Sequence, residues 1–299
     1  MTYLTYCIKN CKKSMFADDL KLYKIVKSPA DANLIQEDLN AIEEWCFKNS
    51  MTLNVKKCYH IKFSKKKKPL VTKYELGGAI ISELEVVQDL GVTIDSKLKF
   101  TTHVNNIVAK AAKTLGFLRR NTQDFKLIQT KQMLYNAFVR SQLEYASVVW
   151  NPLYAVQSQQ VEGIQRSFTR HLAFHARGFS HRSPYTQRLK HFNMMSLKSR
   201  REVLDTCFLY KLLNGSLHCQ QLLENVFFSV PRQNARGTNK LFHVPRCRTN
   251  LGQHSPLNRI CSGYNRLLEK QTTNNIDLFG TNFNSFKKII KTYFSMHNL

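Results

Sequence analysis

The sequence predicts an α+β protein whose mixed N-terminal part is followed by a mainly α-helical C-terminal part. Over residues 1–100, short apolar segments separated by turn residues surround one amphipathic segment, and from Thr101 onward apolar residues recur at helical spacing. In addition, 43% of the 299 residues are hydrophobic, whereas 11 are glycine and 7 are proline. A packed core is therefore expected, and a disordered or collagen-like chain is excluded.

The first predicted element is a β-hairpin over residues 14–23, SMFADDLKLY. Two short runs of alternating apolar and polar residues are separated by Asp18 and Asp19, and aspartate is a common turn residue. The two carboxylates are therefore expected at the turn of the hairpin.

An amphipathic helix is predicted next. Ser28 and Asp31 stand at the spacing of a capping box, and Pro29 lies in the first helical turn. The apolar face that follows repeats every three or four residues and consists of Ile35, Leu39, Ile42 and Cys46. Such a face requires strands to cover it.

Candidate strands lie at residues 59–63, 73–76 and 90–94. The lysine run at 65–68 and the pair Gly77–Gly78 mark the turns between them. Residues 1–100 are therefore expected to form one α+β domain.

A helical bundle is predicted over residues 101–176. Its first helix has an apolar stripe through Val104, Ala111 and Leu115, with Lys110, Lys113 and Arg120 on the opposite face. A second helix is expected at 127–149, stopped by Asn151–Pro152, and a third carries Val161, Ile164, Phe168 and Leu172, with Arg166 and Arg170 pointing elsewhere. In the remaining domain, 177–299, helices are predicted at 197–213 and 283–294, and 231–259 is expected to be irregular.

The charge is strongly basic. Lysine and arginine number 45 against 20 acidic residues, which gives a net charge of +25 and a pI near 9.8. Residues 1–100 carry 17 basic and 12 acidic side chains, whereas 101–299 carry 28 and 8, including every arginine. A segment this basic repels itself unless a polyanion neutralises it, so nucleic acid is the predicted partner and a membrane surface is disfavoured.

The sequence also indicates the compartment and the state of the cysteines. It contains no apolar run long enough to span a bilayer and no secretory signal after Met1, so an intracellular location, nuclear or cytoplasmic, is expected. The eight cysteines are then predicted to be reduced, and the absence of CxxC spacing argues against a structural zinc site. The helical pair His171 and His175 has no acidic neighbour in sequence and is likewise not expected to bind zinc.

Adjacent carboxylates at a turn raise each other's pKa unless a cation neutralises them, and a divalent metal ion would do so. Enzymes of phosphoryl transfer hold two Mg²⁺ ions with such clusters. Taken alone, the tetrad Phe16–Ala17–Asp18–Asp19 is equally compatible with an exposed acidic turn that binds nothing.

The order of several motifs resembles the reverse transcriptases of non-LTR retrotransposons of the jockey-like kind. MFADDLKLY at 15–23 resembles polymerase motif C, residues 45–58 resemble motif D, and residues 89–95 resemble motif E, the hairpin that holds the primer end. The similarity continues through segments 143–152, 164–166, 200–201 and 210–215, so that it covers nearly the whole chain. It implies a partial polymerase palm at 1–100 and a helical thumb at 101–176, followed by a basic, mainly helical C-terminal region.

The resemblance implies a role for each matching residue in RNA-directed DNA synthesis. Asp18 and Asp19 would bind Mg²⁺ or Mn²⁺, and Lys57 would stabilise the leaving pyrophosphate, although Lys56 and Lys57 could equally be a solvated pair. The residues expected to contact RNA template, DNA primer or their duplex are Phe16, Ala17, Leu90, Gly91, Lys110, Lys113, Arg119, Arg120, Arg166 and Arg170. Gly91 could instead be an ordinary bend in a strand. A ribonucleoprotein with the element's RNA is a further implied partner.

The sequence departs from the family in one respect. Residues 1–17 contain no Asp or Glu, whereas a two-metal polymerase site needs a further carboxylate from a preceding strand. We therefore expect a truncated copy without fingers, endonuclease or RNase H, inactive alone, with metal bound only in a complete enzyme. Two alternatives stay open: a nonenzymatic basic nucleic-acid-binding module derived from a retroelement, and a decaying element copy.

Overall fold

A computed structural model describes residues 2–64, 66, 68–176, 178–230, 240–269 and 276–297. The chain divides into two compact units, Met1–Leu98 and Lys99–Leu299. The first unit is mixed and the second is mainly helical, as the change in hydrophobic spacing near residue 100 predicts.

Among its described residues, the N-terminal unit contains one long helix and four separate two-stranded pairs. Its helix is α1, Pro29–Lys48, and short 3₁₀ helices span Thr2–Cys7 and Val55–Lys57. The strands are β1 Lys12–Phe16, β2 Asp19–Tyr23, β3 Tyr59–His60, β4 Glu75–Leu76, β5 Ala79–Ile80, β6 Ser82–Glu83, β7 Val86–Asp89 and β8 Val92–Asp95. The pairs β1–β2, β4–β5 and β7–β8 are antiparallel hairpins, and β3 pairs with β6 in parallel.

All three strand predictions need correction. The segments 59–63 and 73–76 contain only the two-residue strands β3 and β4, whereas 90–94 begins with a turn and enters β8 only at Val92. The reason is local: Leu90 and Gly91 both have positive φ, which a strand interior does not allow. Of the lysine run at 65–68, positions 65 and 67 lie outside the described residues.

Helix α1 begins as the sequence predicts. The Ser28 hydroxyl accepts from the Asp31 N–H, the Asp31 carboxylate accepts from the Ser28 N–H, and Pro29 occupies the first turn. The predicted apolar face packs into two small cores. Ile42 and Cys46 contact Ile8, Cys11 and the hairpin residues Leu20 and Leu22, whereas Ile35 and Leu39 pack on Tyr74, Leu76 and Ile81.

A buried carboxylate on this same face was not predicted. Asp38 is 2% exposed and accepts hydrogen bonds from the backbone N–H groups of Lys9 at 3.0 Å, Asn10 at 3.0 Å and Cys11 at 2.7 Å. Burial opposes ionisation, but these hydrogen bonds outweigh it and lower the pKa of Asp38. Asp38 thereby anchors the segment that leads directly into β1.

Replacing Asp38 with asparagine should destabilise the N-terminal unit by about 2 kcal/mol, because an amide presents an N–H₂ group to backbone donors. Because the pKa of Asp38 is lower in the folded protein than in the unfolded chain, its contribution to the free energy of unfolding is complete above a pH of about 4. That contribution is lost as the pH falls through the pKa of the folded state. Urea unfolding at pH 7 and pH 3, with hydrogen exchange at α1, measures this. The exposed control Glu44→Gln should change stability by less than about 0.5 kcal/mol; an equal loss in both variants would contradict the assignment.

The second unit is built from helices. They are α2 Thr101–Asn121, α3 Ile128–Leu134, α4 Ser141–Glu144, α5 Ser147–Trp150, α6 Ala155–His175, α7 Tyr185–His191, α8 Leu197–Leu213, α9 Gln220–Leu223, α10 Asn250–Gln253, α11 Pro256–Glu269 and α12 Phe283–His297. The two-residue strands β9 Phe227–Phe228 and β10 Phe242–His243 pair in antiparallel orientation. The predicted helices at 197–213 and 283–294 are confirmed as α8 and α12.

The second helix predicted for the bundle, 127–149, is interrupted. After α3 the chain forms a π-helical turn, Tyr135–Arg140, before α4, and Ala146 has a φ of +51° that separates α4 from α5. Helix α2 packs against α6 and against this π segment, while α6 also contacts α7 and α8. Packing therefore continues across the boundary that we expected at residue 176.

The C-terminal part of the unit forms its own core. Helices α8, α11 and α12 bury residues including Leu209, Tyr264, Phe286 and Ile290 around Phe242 of β10. The expectation that 231–259 is irregular is wrong for the residues described, because β10, α10 and the start of α11 lie within 240–259; residues 231–239 lie outside the described part. None of the described helices combines the length and apolar character needed to cross a membrane.

Candidate functional site

The predicted acidic hairpin places its carboxylates at an exposed tip. Ala17 and Asp18 form the two-residue turn, with Ala17 at a φ of +53°, and Asp19 opens β2 opposite Phe16. Both aspartates are exposed, and the Phe16 side chain is 61% exposed. An aromatic residue and two carboxylates at one accessible tip are suited to contact a ligand from solvent.

A second tight turn presents the residues that were assigned to the primer-holding hairpin. Leu90 and Gly91 connect β7 to β8 with φ values of +44° and +80°, a two-residue turn of the kind that favours glycine. Gly91 is therefore required by the turn itself. Gly91 lies in a tight turn and not within a strand or at a bend of one. The Leu90 side chain next to it is exposed.

An ion pair joins the two hairpins. Lys21 of β2 donates from Nζ to Asp89 Oδ1 of β7, and both side chains are only partly exposed. Lys21 lies on the same face of β2 as Asp19, two residues along, and Asp89 directly precedes Leu90. The pair therefore links the strand that begins with Asp19 to the end of β7, a contact that periodicity does not reveal.

The structure does not connect Lys57 with the acidic tip. Lys57 ends the short 3₁₀ helix after α1, where its side chain is exposed. Among the described residues, its side chain has no hydrogen bond or ion pair to Asp18 or Asp19. A role near leaving pyrophosphate consequently remains a proposal.

The two aspartates fit a divalent metal ion only in part. Their carboxylate oxygens are ligands that Mg²⁺ prefers, and magnesium is commonly held by one or two carboxylates together with substrate phosphates. Within the described residues, however, no group of three or more His, Cys, Asp or Glu side chains is placed to hold a metal ion. Asp18 and Asp19 would therefore depend on oxygen ligands from substrate or from other protein residues.

The predicted basic ridge lies on the exposed face of α2. Lys110, Lys113 and Arg120 are exposed, while Val104 and Ala111 of the opposite face are completely buried. On α6, Arg166 and Arg170 are also exposed. These cations are accessible to an anionic partner.

Arg119 differs from its neighbours on α2. Its guanidinium donates to the carbonyl and the hydroxyl of Ser167 on α6, with an Nη2–Oγ distance of 2.8 Å. Burial, and secondarily the charge of Arg170, lowers the pKa of Arg119. The predicted surface role of Arg119 is therefore replaced by a contact between α2 and α6.

The motifs downstream of the second hairpin meet in a buried polar network. Arg200 donates to both carboxylate oxygens of Glu144, with Nη2 3.0 Å from Oε2. The next residue, Arg201, donates from Nε to Asn151 Oδ1 at 3.0 Å and is 1% exposed. Another ion pair of this network joins Arg259 to Asp205, which lie 54 positions apart in the sequence.

Two acceptors on α6 extend this network. The Glu162 carboxylate accepts from the backbone N–H groups of Leu197 and Lys198, both at 3.1 Å, and thereby caps the start of α8. Gln165 accepts from the Tyr135 hydroxyl at 3.2 Å and donates to the Met195 carbonyl at 2.9 Å. Glu162 and the motif residue Gln165 therefore hold α6 against neighbouring segments of the helical unit.

Comparison with known proteins gives one similarity. Over 95 residues, 31% of this chain, the sequence is 32% identical to the "RNA-directed DNA polymerase from mobile element jockey" of Drosophila melanogaster. The match spans 10% of that protein's length. No family model and no solved structure matches the chain. Part of the chain is thus similar to a retroelement reverse transcriptase.

Proposed function

We propose that this chain is the C-terminal part of an RNA-directed DNA polymerase of a non-LTR retrotransposon. The observation that carries the proposal is the exposed tip with Asp18 and Asp19, on a hairpin whose Lys21 is ion-paired with Asp89 at the start of the Leu90–Gly91 turn. The partial similarity to the jockey protein supports it. In this proposal, the α+β unit corresponds to part of the palm and the start of the helical unit to the thumb.

The proposal assigns the N-terminal unit to the primer end. Asp18 and Asp19 bind Mg²⁺ or Mn²⁺ together with phosphate oxygens of the substrate, because a magnesium site commonly combines one or two carboxylates with such oxygens. Phe16 and Ala17 lie beneath the primer terminus, and the exposed Leu90–Gly91 turn contacts the primer. When bound, the metal would supply charge stabilisation for nucleotidyl transfer.

The proposal assigns the helical unit to the nucleic-acid backbone. Lys110, Lys113 and Arg120 on α2, with Arg166 and Arg170 on α6, contact phosphates of a duplex of RNA template and DNA primer. Such contacts position the duplex without reading its sequence. Assembly with the element's RNA, and an intracellular place of action in the nucleus or cytoplasm, follow from these partners.

Binding to DNA ends tests the role of the acidic tip. Although the chain alone lacks a complete set of metal ligands among its described residues, phosphate oxygens of a DNA end can supply further ones. With Mg²⁺, the chain should therefore prefer a recessed 3′ end over a blunt duplex about fivefold, equivalent to about 1 kcal/mol, and Asp18→Asn/Asp19→Asn should abolish that preference. Removing two negative charges strengthens all DNA binding, so the ratio of the two affinities is the measurement. Fluorescence anisotropy with both duplexes, with and without Mg²⁺, provides it.

The matched control removes the same charge elsewhere in the unit. Glu44→Gln/Glu85→Gln changes two exposed carboxylates and should keep the preference for recessed ends. A preference that survives in the Asp18→Asn/Asp19→Asn variant, or that needs no Mg²⁺, would refute the metal-binding role. Primer extension by the 299-residue chain alone should be undetectable, because the described residues provide no three-residue metal site.

The second candidate function is a nonenzymatic nucleic-acid-binding module. It is favoured by the charge of residues 101–200, which hold 15 basic and 3 acidic side chains. Such a module binds recessed and blunt duplexes equally, and Mg²⁺ lowers both affinities together, as other salts do, without creating a preference for either duplex. The same anisotropy experiment therefore distinguishes the two functions.

A further inference from the structure

A buried lysine lacks a counter-ion inside the helical unit. Lys131 of α3 is 3% exposed, and its Nζ atom is buried without a hydrogen-bond partner among the described residues. Burial lowers the pKa of Lys131. An unpaired buried amine lowers the stability of the folded protein, so its presence suggests that it binds a partner.

Two imidazole side chains of α6 interact with it where α3 packs against α6. The rings of His171 and His175 lie 4.6 Å apart on α6, and Lys131 acts electrostatically on both. Burial and the nearby charges of His175, Arg119 and Lys131 lower the pKa of His171 to about 4. Arg119 is held close to this group by its hydrogen bonds to Ser167, one helical turn before His171.

Arg170 adds a fifth nitrogen-bearing side chain. It lies beside His171 in sequence, is exposed, and its charge contributes to the lowered pKa of Arg119. The five residues, which we call the cation cluster, are Arg119, Lys131, Arg170, His171 and His175. Arg170 and His175 are its exposed members.

Within the described part of residues 101–200, no acidic side chain forms an ion pair with the cation cluster. Residues 101–200 contain three acids, Asp124, Glu144 and Glu162. Glu144 binds Arg200, and Glu162 caps α8. Asp124 is exposed in the loop after α2. The neighbours that shift the pKa values of His171 and His175 are themselves cationic or imidazole groups.

We propose that the cation cluster binds a phosphate group. The guanidinium of Arg170 suits the paired oxygens of a phosphate, and the four-carbon stem of Lys131 lets its ammonium move toward an anion beside His175. The phosphate belongs either to a nucleic-acid backbone or to a small free phosphate. The proposal extends beyond the polymerase assignment and does not depend on it, because a small anion tests it without nucleic acid.

The first test uses inorganic phosphate and the variant Lys131→Met in the full chain. At constant ionic strength, phosphate at ten times its Kd should raise the Tm of the wild-type helical unit by about 4 °C relative to chloride. Lys131→Met should raise the Tm without phosphate, because it removes the buried amine, and should abolish the phosphate-dependent shift. The exposed control Lys126→Met should keep that shift.

The second test identifies the source of the phosphate. If the site holds a backbone phosphodiester, Lys131→Met should weaken duplex binding about tenfold while Lys126→Met has a smaller effect, and inorganic phosphate should compete. If it holds a free phosphate, duplex affinity should stay unchanged while the Tm shift is lost. The proposal is overturned if Lys131→Met equals wild type both in its phosphate response and in duplex affinity.

Discussion

Reversing the charge of Lys110, Lys113 and Arg120 to glutamate should weaken binding to duplexes of any sequence by about 100-fold at ~0.1 M salt. All three side chains are exposed on α2, and the opposite face is buried, so the substitutions leave the core intact. Each lost phosphate contact should also reduce the slope of log K against log salt by about 0.9, hence by about three in total. Fluorescence anisotropy at four salt concentrations measures both quantities.

A triple variant with the same change in net charge serves as the control. Lys126→Glu/Lys288→Glu/Lys291→Glu alters exposed lysines outside α2 and α6. It should weaken binding far less and should leave most of the salt slope in place. Equal losses in the two triple variants would show that binding follows the net charge of +25 rather than the face of α2.

Replacing Asp205 with alanine should destabilise the helical unit by about 3 kcal/mol. Asp205 accepts from Arg259 Nε at 2.9 Å and Nη2 at 3.1 Å, and from Asn151 Nδ2 at 3.1 Å. Burial raises the pKa of Asp205, which these hydrogen bonds counteract. Without the carboxylate, Arg259 retains a partly buried charge without its counter-ion. Thermal unfolding should show a Tm lower by about 10 °C.

The double variant Asp205→Ala/Arg259→Met distinguishes the pair from simple loss of packing. Because no charge is then left unpaired, it should recover about half of the lost stability. The exposed control Glu224→Ala should lower the Tm by no more than about 2 °C. A double variant no more stable than Asp205→Ala alone would contradict the role of the ion pair.

Local patterns predicted the elements that depend on neighbouring residues. The capping box at Ser28, the hairpin around Asp18 and the helix 197–213 all lie in the structure where the sequence places them. Each depends on hydrogen bonds or apolar spacing within a few positions, so the chain itself encodes it. The predicted helix 127–149 differs because its break depends on the backbone at Ala146, whose residue type gives no turn signal.

The sequence contains a signal for the buried role of Asp38. It lies between Ile35 and Ile42 on the apolar face of α1, and a carboxylate in that position needs a partner. The sequence does not predict which groups pair with Asp38, because the backbone N–H groups of Lys9, Asn10 and Cys11 lie 27 to 29 residues away in the chain. Segment 240–259 was misassigned because polar residues and short elements hid α10 and α11.

The sequence by itself determined the change from mixed to helical structure near residue 100, the two-carboxylate hairpin and the basic surface of α2. Only the tertiary structure decided which charged groups face solvent and which hold the fold. It turned Arg119 inward, paired Lys21 with Asp89 across 68 positions, and placed Lys131 next to His171. Charge and period are local properties, whereas the free energy of an ion depends on burial and on partners that come from distant parts of the chain.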